Sequence, residues 1–332
     1  MAEDADVFAI VVARIGDTLL ATPALRAVKA AAPRGRLTVL AHRKRAPLLA
    51  NLPFIDRLGS IDKRSASWCG WLPAVRHDLA VVWGHDRPLI DYALRRARKV
   101  VAFEASGLPT DSRLIQVTRP NGVHAVRERL ALVEAVGISA QDLRLAYAVA
   151  PEEAEAARHW LEGRRGAGPV VGVQPVSFPT KPHRDWPIDS FVDLLRRLAV
   201  EFPQVTFVVL GDEGAADAGR RLQTAVEGRV IVAAGEFDLR RSAALIGELD
   251  VYLGVDTGPT HIAGALGIPM VALYHCSYPG RNLAPLGHPA LRMIEHPATG
   301  AAHASTDVSM SDISVAQVLD AMRELLAGAS TT

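Results

Sequence analysis

The chain has 332 residues, room for two domains of ordinary size, and its 49% hydrophobic and 22% charged residues are a soluble globular composition. No apolar run approaches the roughly 18 residues of a spanning helix. The acidic opening MAEDADV lacks the basic region of a secretory signal, and Cys69 and Cys276 are too far apart in sequence to suggest a disulfide framework or a structural zinc site, so a reducing cytosol is expected.

The net charge of +1 hides an asymmetry. Residues 1–165 carry 25 Lys and Arg against 18 Asp and Glu, whereas residues 166–332 carry 12 against 18. A basic first half suits an anionic partner or a membrane surface. Its clusters are His42-Arg43-Lys44-Arg45 and Arg95-Arg96-Ala97-Arg98-Lys99, each of which alone also reads as a solvated helix face.

Val7 to Ala13 is an uninterrupted apolar run, the pattern of a buried parallel strand. Arg14, Ile15, Gly16 and Asp17 follow at its carboxyl end. The next segment, TLLATPALRAVKAAAP, has helical spacing; either Thr22 and Pro23 start the helix, or it starts near Asp17 and Pro23 kinks it. Asp17 is then a cap or a general base facing a cleft. No GxGxxG is present at this turn, so the dinucleotide fingerprint is absent. Strands are expected at 36–41, 79–83 and 100–103, and helices at 44–51, 65–76 (with Trp68, Trp71 and Leu72 on one side), 88–98 and 125–136. The polar, Pro- and Gly-punctuated stretch 106–122 reads as a long loop.

After a helix at 152–161, the run Gly163 to Pro169 is the best linker in the chain. Strands at 170–173, 206–210 and 230–233 then alternate with a helix after Asp189, one at 215–226 and one capped by Asp238. Gln174 to Asp185 is a loop, and a last helix spans about 311–326 after an irregular stretch. The alternation throughout argues for open, mostly parallel sheets covered by helices.

The most telling stretch is DVYLGVDTGPTHIAGALGIPMVALYH, beginning at Asp250. A β-branched strand stops at a turn containing Gly258. Pro259 suits the first helical position, with Thr257 or Gly258 as the N-cap, and Ile268 to Tyr274 is the next strand. The N–H groups and positive dipole end of such a helix favour an anion, usually phosphate. Asp256 lies beside them, and in a doubly wound sheet ligands bind at such strand ends. An ordinary turn with a capping Asp and a solvated His261 has the same pattern.

Four segments in order, ARIGDTLLATPAL (13–25), VGVQPVSFPTKPHRDWPIDSFVDLLRRL (171–198), FVVLGDEG (207–214) and VDTGPTHIAGALGIPMVALYH (255–275), resemble the ADP-heptose:lipopolysaccharide heptosyltransferase family, glycosyltransferase family nine. HAVRERLALVEAVG (124–137) fits the family's helix before the domain junction. The resemblance spans nearly the whole chain. It implies an α/β GT-B architecture, two Rossmann-like domains facing across a cleft, with the last helix crossing back to the N-terminal domain. The expected division is an acceptor domain at 1–165, a nucleotide-sugar domain at 166–310, and a helix and tail at 311–332.

The resemblance further implies inverting transfer of heptose from ADP-heptose to a lipopolysaccharide inner-core acceptor, with no cofactor and no required metal. Asp17 would deprotonate the acceptor hydroxyl, with Arg14, Gly16, Arg43 and Lys44 on the acceptor side. Lys181 would stabilise the departing diphosphate. Arg184, Asp256, Thr257, Gly258, His261, Phe237, Leu239, Asp212 and Glu213 would hold the donor, though several of these also read as caps or core residues. The implied acceptor is an anionic glycolipid at the inner membrane surface, placing a cytoplasmic protein on the inner face of that membrane; no nucleic-acid partner is expected. One departure stands out. The family's Lys precedes the Trp-Pro pair by two residues, but here Arg184 holds that place before Trp186-Pro187 and Lys181 lies three residues earlier. Arg and Lys bind phosphate differently, so which of them takes the role is open. Other readings compatible with these motifs are a transferase with another nucleotide sugar or acceptor, a nucleotide-sugar epimerase or hydrolase, and a non-catalytic sugar-nucleotide-binding protein.

Overall fold

Alternating strand and helix patterns resolve into two units, Met1–Ala148 and Val149–Thr332, in the computed structural model, which describes residues 1–69 and 77–329. The first unit runs β1 (Val7–Val11), α1 (Ile15–Leu20), α2 (Thr22–Ala31), β2 (Leu37–Ala41), β3 (Arg57–Ser60), α3 (Lys63–Cys69), β4 (His77–Val82), α4 (Arg87–Arg96), β5 (Ala97–Phe103), β6 (Leu114–Val117) and α5 (Ala125–Glu134). The sheet is parallel in the order β3-β2-β1-β4-β5-β6. Every residue of β1 is buried, because β1 is central and covered on both faces. The order reverses between β1 and β4, which makes their carboxyl ends the switch point where such sheets take ligands.

The helix after β1 is two helices. α1 starts at Ile15, and Pro23 then occupies the first turn of α2, where its missing N–H is harmless. The Thr22 hydroxyl donates to the Leu19 carbonyl at 2.6 Å across the break. The expected helix at 44–51 is a single 3₁₀ turn, Ala46–Leu49. Of the helix expected at 65–76, α3 accounts for the beginning; Trp71 and Leu72 lie outside the described residues, as do the side chains of Trp68 and Cys69. The long loop at 106–122 contains β6, anchored by Arg113, which pairs with Asp111 and donates to the Leu94 carbonyl at 2.9 Å.

The second unit runs α6 (Pro151–Leu161), β7 (Val170–Gln174), α7 (Ile188–Glu201), β8 (Thr206–Val209), α8 (Ala216–Ala225), β9 (Val230–Val232), α9 (Leu239–Gly247), β10 (Val251–Val255), α10 (Gly258–Leu266), β11 (Met270–Tyr274), α11 (Gly280–Leu283), β12 (Leu291–Glu295) and α12 (Val315–Ala329). Its parallel sheet, β12-β11-β10-β7-β8-β9, repeats the strand order of the first and puts the switch point between β7 and β10. Asp189, expected to cap α7, is instead in its first turn behind Pro187.

The domain boundary differs from expectation. α6 packs on α9, and the half-buried Glu153 bonds Arg240 at 2.7 Å, so α6 belongs to the second unit. The Gly-rich run 163–169 is a turn inside that unit. A Cβ on Gly168 would meet the Gln204 backbone at 2.5 Å, so glycine is there for close packing and not for an interdomain swivel. Residues 315–329 likewise belong to the core of this unit: Val318, Met322 and Leu326 join Phe191, Leu194, Leu253 and Leu273. Trp186 is 1% exposed among them and donates its Nε1–H to the Ile313 carbonyl at 2.9 Å. Among the described residues no helix is long and apolar enough to cross a membrane.

Candidate functional site

At the switch point of the second sheet, β7 and β10 end side by side, with Gly254 opposite Gln174. Beyond β10, Thr257 is extended (φ −145°, ψ 179°) and caps α10 by position only. Its hydroxyl turns back to the Val255 carbonyl at 3.3 Å, so no side chain caps the first N–H groups of α10. Gly258 and Pro259 open the helix. Two buried hydroxyls brace the turn from beneath. Thr260 donates to the Val255 carbonyl at 2.5 Å, and the Tyr252 hydroxyl lies 2.9 Å from Thr260 Oγ1. Burial raises the Tyr252 phenol above its ordinary range, which keeps it a neutral donor. The result is a braced helix N-terminus without a side-chain cap, an arrangement that favours an anion.

The loop after β7 supplies the cations. Asp185 accepts from Ser177 N at 2.6 Å, and the Ser177 hydroxyl donates to the Lys181 carbonyl at 2.8 Å, folding 177–185 into a compact arch. Burial raises the Asp185 carboxyl above its usual range. The arch ends in a 3₁₀ turn, Pro182–Arg184, that aims Arg184 back at β10. Arg184 Nη1 lies 2.8 Å from Asp256 Oδ2, and these side chains are only 14% and 5% exposed. His261 Nε2 is 3.5 Å from the other carboxylate oxygen of Asp256. The Arg184 guanidinium carbon also lies 3.5 Å from the centroid of the Tyr278 ring, and Lys181 Nζ is 3.3 Å from the Tyr278 hydroxyl. Arg184 Nε, His183 Nε2 and His261 Nδ1 are buried without a protein partner. Buried polar atoms of this kind mark a place that water or a ligand completes.

The other expected donor residues lie farther along the same edge. Asp212 accepts from Gly214 N at 3.1 Å and caps the short turn after β8, with Glu213 in that turn. Phe237 follows β9 and packs edge-on against Trp160 at 5.2 Å, and Leu239 is the first residue of α9. The structure therefore brings Lys181, Arg184, Asp256, Thr257, Gly258 and His261 together, and sets Asp212, Glu213, Phe237 and Leu239 beyond β7 on the side of β8 and β9.

In the first unit, Asp17 sits in the opening turn of α1, after Arg14 and Gly16, at the carboxyl end of β1. Arg129 of α5 donates from Nη2 to Asp17 Oδ1 at 2.7 Å. Arg129 is itself fixed: Glu128 accepts from its other nitrogen at 3.0 Å, and Trp83, just past β4, donates Nε1–H to its carbonyl at 2.8 Å. Arg43 and Lys44 lie on the exposed turn after β2, at the same edge of the parallel sheet. Arg129 is the residue to which the sequence alone assigns no place in the site. Arg129 was inside a quoted helical motif, but nothing in its spacing points to a carboxylate 112 residues away.

A family model for glycosyltransferase family 9 (heptosyltransferase) matches residues 97–304. The chain is 22% identical, over 277 residues covering 78% of it and 79% of the relative, to lipopolysaccharide heptosyltransferase 3 of Escherichia coli K12. Its fold is similar to the glycosyl transferase family 9 structure from Veillonella parvula (TM-score 0.82, 19% identity, 99% of each chain). It is also similar to E. coli ADP-heptose LPS heptosyltransferase II (TM-score 0.75, 21% identity, 98% of this chain and 99% of that one).

Proposed function

The chain belongs to glycosyltransferase family 9, the heptosyltransferases, and on that premise we propose that it moves heptose from ADP-heptose to an inner-core hydroxyl of lipopolysaccharide, inverting the anomeric centre and needing no metal. The relatives named for this donor and acceptor support the substrate class. The observation that carries the donor half is the convergence, at one switch point, of the uncapped α10 N-terminus with Arg184 fixed against Asp256.

In this reading the diphosphate lies against the N–H groups of Thr257 and Gly258. Asp256 aims Arg184, and Lys181 stands beside it. The Asp17 carboxylate, oriented by Arg129, takes the proton of the acceptor hydroxyl. The hydroxyl oxygen bonds to the anomeric carbon from the face opposite ADP. The bond from that carbon to the phosphate oxygen breaks, and its electron pair leaves with ADP. The added negative charge meets backbone N–H groups and two cations that are already in place, which is electrostatic stabilisation without reorganisation. Arg14, Arg43 and Lys44 meet the anionic acceptor, and the basic first unit associates with the inner face of the membrane that carries it.

The test is calorimetry without added metal against ADP-heptose, ADP-glucose, UDP-glucose and GDP-mannose, followed by transfer to a core acceptor. Preference for ADP-heptose and metal-independent transfer support the reading. Preference for another nucleotide sugar overturns the donor assignment, and binding without turnover on any acceptor overturns the catalytic one.

A further inference from the structure

Tyr278 comes from the loop between β11 and α11, yet it touches both cations of the arch after β7. Lys181 Nζ is 3.3 Å from its hydroxyl and 4.5 Å from its ring centroid. The Arg184 guanidinium carbon is 3.5 Å from that centroid, and the His183 ring stacks on Tyr278 at 5.8 Å and 22°. Lys181 has no carboxylate partner among the described residues, whereas Arg184 has Asp256. A long lysine without an ion pair keeps its rotamer freedom unless something else holds it. A phenol oxygen accepts one of its three N–H bonds and leaves two for a ligand, and the ring face attracts the guanidinium.

We propose that Tyr278 is a positioning residue for donor binding: its hydroxyl holds Lys181, and its ring holds Arg184, beside the N-terminus of α10. The inference rests on the donor reading above and adds a residue to it. Arg184 retains a buried, unpartnered Nε, so the stack leaves it a free hydrogen-bond donor. Lys181 and Arg184 together pull the Tyr278 phenol below its ordinary range, the hydrogen bond from Lys181 foremost. Loss of the phenol proton turns the Lys181 contact into an ion pair, which competes with a diphosphate for the ammonium. The groups around the ring are Lys181, Arg184 and His183, with Asp256 behind Arg184 and His275 behind His183. Tyr278→Phe removes the phenol ionisation and leaves every other charged group in place, so a displaced alkaline limb in that variant belongs to Tyr278.

The experiment is ADP calorimetry between pH 7.5 and 10 on the full chain, with Tyr278→Phe, Tyr278→Leu, Lys181→Met and the Lys181→Met/Tyr278→Phe pair. Tyr278→Phe is expected to weaken ADP about threefold at pH 7.5 and to move the alkaline loss of affinity upward. Tyr278→Leu is expected to weaken ADP about tenfold or more, raising the donor KM with kcat little altered. In the Lys181→Met background, Tyr278→Phe is expected to change ADP affinity less than twofold, a coupling that general destabilisation does not produce. Unaltered ADP affinity in Tyr278→Leu, an unmoved alkaline limb in Tyr278→Phe, or additive effects in the pair would each overturn the proposal while leaving the donor reading intact. Failure of the unsubstituted protein to bind ADP would remove both.

Discussion

The Asp256 carboxylate lies 2.8 Å from Arg184, nearly sealed from solvent, and fixes the direction of that guanidinium. That pair is also a stability element. Removing one member leaves a buried, uncompensated charge, which costs about 3–5 kcal/mol.

Arg184→Met is therefore expected to destabilise the second unit by about 3–5 kcal/mol, measured by urea unfolding. Adding Asp256→Leu is expected to restore most of the loss without restoring ADP affinity. If the single variant unfolds like the parent, the buried pair is not holding the site as described.

Asp17→Asn keeps shape and loses the proton acceptor. Transfer is expected to fall by about 10²–10⁴-fold, with ADP affinity held within twofold by calorimetry. Arg129→Met leaves the carboxylate but frees it to turn, and a fall of roughly 10²-fold fits such misplacement. Single-turnover transfer separates the two. Undiminished transfer by Asp17→Asn would exclude it as the base.

Acid weakens the second unit through His275. Its Nδ1 accepts from Ser277 N at 3.1 Å and its Nε2 donates to the Val308 carbonyl at 2.8 Å, an arrangement that needs the neutral ring. Burial holds its pKa below the ordinary value. The unfolded chain takes this proton near about 6.5, the native chain only at lower pH. Stability is thus complete above that value and falls as pH drops through the interval between the two. His183, also lowered by burial, acts in the same direction; Asp185, whose carboxyl burial raises, acts in the opposite one. Urea midpoints at pH 7.5, 6.0 and 5.0 are expected to fall less steeply in His275→Gln than in the parent, and parallel curves would count against this account.

Gly264 lies in α10 where a methyl group would sit 2.1 Å from Pro285 Cγ. Gly264→Ala is expected to destabilise by about 1–3 kcal/mol and to weaken ADP, because the helix that offers its N-terminus has to shift. Thermal unfolding with and without ADP tests both parts; an unaltered midpoint would show that Pro285 gives way instead.

The stretch around Asp256 was legible because strand, turn, proline and helix follow one another locally, and each leaves its mark over a few residues. Both central strands, β1 and β10, were legible because burial on two faces makes them wholly apolar. β3, β6 and β12 escaped notice as edge strands of four or five residues. Each mixes polar and apolar positions, such as Gln116 within β6 and Arg292 within β12. The pairings that complete the site were not legible, since Arg129 meets Asp17, and Tyr278 meets Lys181, only after the chain has closed long loops. The domain boundary was misplaced for a related reason. The glycines at 163–169 have the composition of a swivel, and it takes the packing of α6 on α9 and of Gly168 on Gln204 to show otherwise.

The bond from Trp186 to the Ile313 carbonyl spans 127 residues. It anchors the end of the same arch that carries Lys181 and Arg184, immediately before α7. Contacts so distant in sequence form late, because their loop-closure entropy is met before they add any stability. During refolding, then, the parallel strands of the second unit can assemble while the arch still lacks its anchor. On the proposed donor reading, ADP binding is then expected to return after secondary structure has recovered, when the segment before α12 docks.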